Sequence, residues 1–352
     1  MKKFLLLTLM ISMFSSLVGC GVTNNENETK VIKDCAGDEV TVPVDVDEVI
    51  NLVTYGCQVM VGLNFGDYLI GINEDAIESS WMIEMYPNIS NIKKYDQEES
   101  AESLLMTSAD VVLCQEADQA RDLRSKGVTA LTFSYYSIDD MRVAINMLGE
   151  LLGENAKAKC DKYLKYLDDS IALVQTQMNG KNIDKETLYY INGVSNKGLY
   201  KTAGKGSTNS ACAELSYTIF ATDTLIESPA NVVDSEAILS VDPENIIIGG
   251  KYQHVLYEKL INEDVWKNNK AVKDGNIFKV PMGISAWNRY GIEIAIMIPW
   301  TTKVVYPEHF DFNILEETIK FYKDFAGYTL SEEQAQYILE GLTPSGEREI
   351  TN

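Results

Sequence analysis

From Asn155 to Asn179, apolar or semi-apolar residues return at Cys160, Leu164, Leu167, Ile171, Val174 and Met178. Steps of four and three keep one stripe along one side of a helix. No Pro or Gly interrupts the run before Gly180, which stands where a helix stop is expected. At about 1.5 Å per residue such a helix is roughly 37 Å long, longer than most globular helices. On both sides the pattern changes to short apolar, β-branched runs alternating with amphipathic stretches. Either the long helix belongs to one core, or it is a strut between two.

Before it, Val31 to Pro43 carries two β-prone runs flanking Ala36-Gly37-Asp38 and predicts a hairpin. Val49–Thr54, Tyr68–Asn73, Asp110–Cys114 and Val128–Phe133 read as buried strands. Gln58–Leu63, Glu102–Thr107, Arg121–Lys126 and Ile138–Leu152 read as helices. After it, Glu186–Asn192, Asn245–Gly249 and Asn276–Val280 read as strands. Helices are expected at Thr208–Leu215, Ala237–Val241, Lys251–Leu260, Asp264–Asn268, Gly291–Val305, Leu315–Phe325 and Glu332–Leu339. Such alternation predicts parallel strands with helices on the faces. In open α/β sheets ligands sit beyond the carboxyl ends of the strands. That rule points to Thr54–Cys57, to Asn73 and its neighbours, and to Gln115-Glu116. The halves also echo each other: Glu102 and Glu236 each open a short helix that leads through a turn to a buried strand. The echo favours the strut. A Glu in a first turn also suits the helix dipole by itself.

The ends change the picture next. Lys2 and Lys3 precede an apolar run, Phe4–Val18, that is too short to span a bilayer and has the form of a secretory leader. It ends Leu17-Val18-Gly19-Cys20, which resembles a bacterial lipobox with Cys20 as the lipidated residue. Residues 21–30 are polar and read as a flexible tether. Net charge is −22, and −24 without Lys2 and Lys3, which argues against nucleic acid and anionic lipid as partners. Attachment to a membrane then depends on the lipid. The other five cysteines are Cys35, Cys57, Cys114, Cys160 and Cys212; with no CxxC and wide spacing they suggest no disulfide framework, though one bridge is open. Only His254 and His309 are histidines, which excludes a His-rich metal site.

Several motifs together resemble one family: the lipid-anchored substrate-binding proteins of ABC importers for ferric siderophores, haem and vitamin B12. They are Asp34-x-x-Gly37-x-x-Val40-x-x-Pro43; Glu102 with Ala109-Asp110-Val111-Val112; and Glu236 with Asp242-Pro243. Val265-Trp266-Lys267 through Ala271-Val272-Lys273-Asp274-Gly275 to Pro281, then Tyr306-Pro307-Glu308, Phe321-Tyr322 and Gly327-Tyr328, continue the match. The order and spacing cover nearly all of the chain after the tether. The sequence departs from the pattern at Asp47-Glu48-Val49, where an Arg is usual. It departs again at Leu215-Ser216-Tyr217-Thr218, where Gly-Gly-Asn is frequent.

The resemblance implies two Rossmann-like α/β lobes joined by one long α-helix, with a ligand cleft between them. It implies a monomeric receptor with no cofactor, whose partners are a small-molecule metal chelate or corrinoid and an ABC permease dimer. It also implies that Glu102 and Glu236 lie on the outer lobe faces and pair with permease arginines. The organisation expected is a leader over 1–19, a lipidated tether over 20–30, and an α/β lobe over 31–153. The linking helix over 154–180, a second lobe over 181–343 and a tail over 344–352 follow. A helix of that length should resist hinge bending, so lobe motion on binding is expected to be small.

Candidate ligand contacts follow from these positions. Tyr55, Gly56 and Cys57 follow the first buried strand. Trp81 and Tyr95 offer aromatic faces for a planar or chelated ligand, or they pack on the lobe. Lys197, Tyr200, Lys201 and Lys205 lie around Gly198, Gly204 and Gly206, either to receive an anion or as a solvated loop. That loop fails the P-loop spacing, since Gly206 follows Lys205. His254 is either an axial ligand to haem iron or corrinoid cobalt, or a surface histidine. Trp287 and Arg289 precede a long helix, in a loop that borders the cleft in this family; Arg is a natural partner for carboxylate or catecholate oxygens. A receptor for bare Mn²⁺, Zn²⁺ or iron of the same architecture is the alternative, with few histidines to support it. A surface enzyme is a third reading, but no GxSxG, HExxH or Cys/His pair at suitable spacing occurs.

Overall fold

A computed structural model describes residues 28–193, 198–227 and 230–349. The leader and Cys20, with most of the tether, and Lys197 therefore lie outside the described residues. The first lobe opens with a hairpin, β1 (Thr29–Lys33) against β2 (Glu39–Pro43). The buried Asp34 carboxylate organises its turn, accepting from Ala36 and Asp38 N–H through Oδ1 and from Thr132 N–H through Oδ2. Five parallel strands follow: β3 (Val49–Asn51), β4 (Leu69–Asn73), β5 (Lys93–Tyr95), β6 (Val111–Cys114) and β7 (Ala130–Thr132), in the order β5-β4-β3-β6-β7. Their helices are α1 (Thr54–Gly62), α2 (Ser80–Met85), α3 (Ala101–Leu105), α4 (Ala117–Ser125) and α5 (Ile138–Leu152).

The second lobe repeats the plan on four parallel strands: β8 (Thr187–Ile191), β10 (Ile219–Phe220), β12 (Asn245–Ile248) and β13 (Ile277–Lys279), ordered β10-β8-β12-β13. A small antiparallel pair, β9 (Lys201–Ala203) with β11 (Ala230–Val232), sits outside that sheet. Around them lie α7 (Thr208–Leu215), α8 (Ser235–Val241), α9 (Gln253–Asn262), α10 (Lys270–Asp274), α11 (Ile294–Val305), α12 (Ile314–Asp324) and α13 (Glu332–Glu340). In each sheet the first strand has neighbours on both sides, so the order reverses beside it. Such a switch point opens a crevice at the carboxyl ends of the strands.

Between the sheets runs α6 (Glu154–Met178), 25 residues long. Its stripe buries Cys160, Tyr163, Leu167, Val174 and Met178. It packs on α5 of the first lobe and on α11 of the second. Lys162 reaches Asp324 at 2.9 Å, and Gln177 exchanges hydrogen bonds with the Asp311 backbone. Tyr163 is fully buried and its hydroxyl donates to the Ile292 carbonyl at 3.0 Å. One continuous apolar cluster joins Val49 and Val111 of the first sheet to Leu188 and Ile247 of the second through these helices. The strut is therefore also core, which is why a chain this long keeps its lobes together. All five cysteines among the described residues are free. No helix among the described residues is long and apolar enough to cross a membrane.

Removing the Tyr163 hydroxyl strands a buried carbonyl, an effect of about 1–3 kcal/mol. Tyr163→Phe should lower the urea unfolding midpoint accordingly while leaving the far-UV circular dichroism unchanged. An unaltered midpoint would show that this link carries no load.

Candidate functional site

The two switch points face each other across a cleft of about 590 Å³. On the first-lobe side it is lined by Thr54, Tyr55, Gln58, Glu74, Asp75, Ile77 and Glu78; on the other by Lys251, Arg289 and Tyr290. Two buried asparagines shape the first wall. Asn51 Oδ1 accepts from Val53 N–H at 3.0 Å and turns the chain out of β3 into α1. Asn73 binds the Leu52 carbonyl, the Thr54 hydroxyl and Asp75 N–H, so the ends of β3 and β4 are fixed together. No side chain caps α1, whose N-cap is Val53, and its first turn supplies Thr54 and Tyr55 to the cleft.

A polar recess of about 70 Å³ continues into the second lobe. Asn192, Thr202, Ala203, Ser207, Thr208, Asn209 and Asn288 line it, and it shares Arg289 and Tyr290 with the main cleft. Ser207 caps α7 by accepting from Ser210 N–H at 3.1 Å. Asn288 is buried and its Oδ1 has no partner, as is true of the Tyr190 hydroxyl nearby. The strand ends approach closely here. A Cβ at Gly249 would run into the Tyr190 hydroxyl and the Asn288 amide, and Gly250 (φ +69°) turns against the Gly193 carbonyl. Only glycine allows both the contact and the left-handed turn.

The segment 280–293 carries Arg289 and Tyr290. Every residue in it is buried except these two, which are half-exposed towards the cleft. Trp287 Nε1 donates to the Tyr322 hydroxyl at 2.9 Å, and that hydroxyl lies 3.4 Å from Glu293 Oε1, which also accepts from Ser285 N–H at 3.2 Å. Burial pushes the Glu293 carboxyl up to about 7, and these hydrogen bonds moderate the rise. First-lobe groups reach across to the same segment. Ser79 Oγ donates to the Gly283 carbonyl at 2.5 Å, Tyr135 donates to the Tyr290 carbonyl, and Arg289 pairs with Glu78 at 3.0 Å.

Of the residues singled out from the sequence, Tyr55 and Arg289 line the cleft. Tyr55 packs edge-on to Tyr135, with centroids 5.0 Å apart, and lies 5.5 Å from Tyr290. The remaining first-lobe candidates are buried and do not line the cleft. Gly56 packs its backbone on Asn51. Cys57 is fully buried, its thiol donating to the Asn51 carbonyl at 3.2 Å and pushed up to about 12 by burial. Trp81 is fully buried and bonds the Leu342 carbonyl at 2.8 Å, while Tyr95 packs over Gly71 in the sheet's other core.

In the second lobe, Tyr200 stacks on Trp266 at 6.0 Å and Lys205 is exposed, 3.9 Å from Glu227. Lys201 is exposed on β9. His254 sits one turn beyond the cleft with Nε2 on the Gly341 carbonyl and Nδ1 facing Lys279, and burial lowers its affinity for a proton. Both ring nitrogens are engaged in these contacts, and His254 does not line the cleft or its recess. Trp287 is fully buried and serves the cleft only by holding its segment. Glu102 and Glu236 are exposed in the first turns of α3 and α8, behind the caps Ser100 and Asp234.

Sequence reasoning missed Gln58, Glu78, Lys251, Asn288 and Tyr290. The strand-end rule points beside Gln58 and near Glu78; Lys251 follows a Gly pair and Asn288 and Tyr290 flank Arg289, with no signal of their own. Among the described residues no group of three or more His, Cys, Asp or Glu is placed to hold a metal ion.

Residues 89–282 match the family model described as periplasmic binding protein. An uncharacterized ABC transporter substrate-binding lipoprotein of Bacillus subtilis, YvrC, is 22% identical over 314 residues, covering 84% of this chain and 94% of the relative. Among solved structures, a periplasmic solute binding protein from Veillonella parvula matches with TM-score 0.76 and 22% identity, over 89% of this chain and 97% of that one. The Haemophilus influenzae protein MolA, bound to molybdate, matches with TM-score 0.75 and 18% identity, over 86% and 99%. Helicobacter pylori CeuE, in a nickel–histidine complex, matches with TM-score 0.71 and 18% identity, over 87% and 98%. At these identities the structural matches speak for the fold.

The carboxyl of Glu293 carries a pH signature. Below its unfolded value of about 4.5 it is protonated in both states and exacts nothing. As pH rises towards 7 the unfolded chain ionises first, and the folded chain loses on the order of 3 kcal/mol. Thermal unfolding from pH 5 to pH 8 should therefore show a smaller loss of stability in Glu293→Gln than in the wild type. Parallel pH profiles would contradict this.

Proposed function

The chain belongs to the periplasmic binding protein family, and on that premise we propose that it is the lipid-anchored receptor of an ABC importer, capturing a metal chelate in the interlobe cleft. Residues 1–19 act as the leader and Cys20 carries the lipid, which places the receptor on the outer face of the bacterial cell membrane. The family match and the lipoprotein relative support this placement.

The observation that carries the ligand reading is the mismatch between the cleft's polarity and its metal-binding capacity. It presents Arg289, Lys251, Glu74, Asp75 and Glu78, together with amides and hydroxyls, yet among the described residues no cluster is placed to hold a metal ion. Neither histidine lines it. A metal bound here must arrive with its coordination already filled, as in a ferric siderophore, haem or corrinoid. A cleft of this volume is within the range of ordinary small-molecule sites. Two solved relatives hold metal together with other atoms, as molybdate in one and with histidine in the other, which supports cargo of this kind. A bare-cation receptor would need ligands that the cleft does not gather. A binding protein needs a concave site and docking faces rather than a nucleophile or general base.

Delivery rests on Glu102 and Glu236. Each stands exposed at the start of a short helix that precedes a buried strand, one per lobe. Paired carboxylates of this kind suit permease arginines and fix docking register. The excess of acidic residues favours steering to a basic face.

Absorption titrations of the mature protein with haem, cobalamin and ferric siderophores test the cargo class directly. One class should bind at 1:1; no binding to any would count against the reading. Glu102→Arg and Glu236→Arg should abolish uptake and leave cargo affinity unchanged. Loss of affinity instead would mean that these residues serve the cleft.

A further inference from the structure

Arg289 does not face the cleft with its charge free. Its Nε lies 3.1 Å and its Nη2 3.0 Å from one oxygen, Oε1 of Glu78. The other oxygen, Oε2, is left 3.5 Å from Gln58 Nε2. Both residues line the cleft, one from each lobe. We propose that Glu78 is a built-in stand-in for an anionic group of the cargo, and that a chelate bearing a carboxylate-type oxyanion takes Arg289 over from it. This rests on the receptor reading above and adds a requirement to it: the cargo carries an exposed anionic oxygen group.

The geometry favours such an exchange. Arg–carboxylate pairs are strongest as a fork, with two parallel bonds to two oxygens. Here two nitrogens converge on a single oxygen, so an entering carboxylate can offer a better match than Glu78 does. The pair is also partly open to water, with side-chain exposures of 30% for Arg289 and 15% for Glu78, and pairs of that kind are weak. Glu74 and Asp75 stand in the same wall, so Glu78 is the third carboxylate within five residues and gains by keeping a cation. Once released it still has Gln58 and solvent.

The exchange need not open the lobes. Ser79, Tyr135, Tyr163 and Trp81 each bond the backbone of the second lobe or its C-terminal segment independently of Glu78. Glu78 thus acts on selectivity. A neutral molecule without an oxyanion leaves the pair closed and gains nothing from Arg289, while an anionic one gains a charge-assisted contact at the cost of a weak internal pair. Glu78 is in this sense a specificity-determining residue.

The test uses inorganic phosphate as the probe, so that it does not depend on knowing the cargo. Phosphate is titrated at constant ionic strength into the wild type, Glu78→Gln and Glu78→Gln/Arg289→Gln, following the side-chain N–H resonance of Arg289 by NMR where the arginine is present and calorimetry in all three. Glu78→Gln should bind phosphate at least tenfold more tightly than the wild type, with the Arg289 resonance shifting. The double variant should lose that gain. Equal or weaker binding by Glu78→Gln overturns the proposal, as does a gain that survives loss of Arg289. The receptor reading fails separately: a protein that shows the phosphate exchange but takes no chelate refutes that reading and leaves the competition at Arg289 standing.

Discussion

The cleft depends on one buried seam, the segment 280–293 packed against the first lobe. Its backbone carbonyls accept from Ser79, Tyr135 and Tyr163, three hydroxyls that belong to the other lobe or to the linking helix. Its interior end is held by the Trp287–Tyr322–Glu293 chain. Within it only Arg289 and Tyr290 are left partly exposed. Hydrogen bonds to buried carbonyls are costly to leave unmade, so the segment has little freedom to swing. The apolar cluster continues through the seam from one sheet to the other. The two lobes are therefore packed against each other along this seam as well as through the linking helix.

That packing is shared by the long amphipathic helix that connects the lobes. Helix α6 packs on both lobes with its stripe buried, and its polar face is laced by pairs such as Lys157–Asp161 and Lys165–Asp169. Exposed pairs like these add little to stability. Packing of Tyr163, Leu167 and Val174 does the holding.

Much of the fold was legible from period alone. The stripe from Cys160 to Met178 and the strands at Val111–Cys114 and Asn245–Ile248 are strongly patterned, and their placement follows. The site was less legible because a sequence gives the end of a strand but not which way each side chain turns beyond it. Tyr55 faces the cleft, while Cys57, two residues on, points into the core against Asn51. Lys251 faces it, while His254, three residues on, turns to Gly341. Trp81, Trp287 and Tyr95 were attractive for the same chemistry that buries them: large apolar rings fill cores more often than clefts. Glu78 lies only near a strand end in the sequence, and its partner is an arginine 211 residues away.

The most direct measurement is a crystal structure of the mature protein with whichever metal chelate the titrations select. The account predicts density between Thr54–Tyr55 and Arg289–Tyr290, with an anionic oxygen on Arg289 and the two sheets in the relation described here. Density on another surface, such as the groove between α6 and α12 lined by Tyr166 and Phe312, would contradict it. So would a cleft that closes by tens of degrees around the cargo.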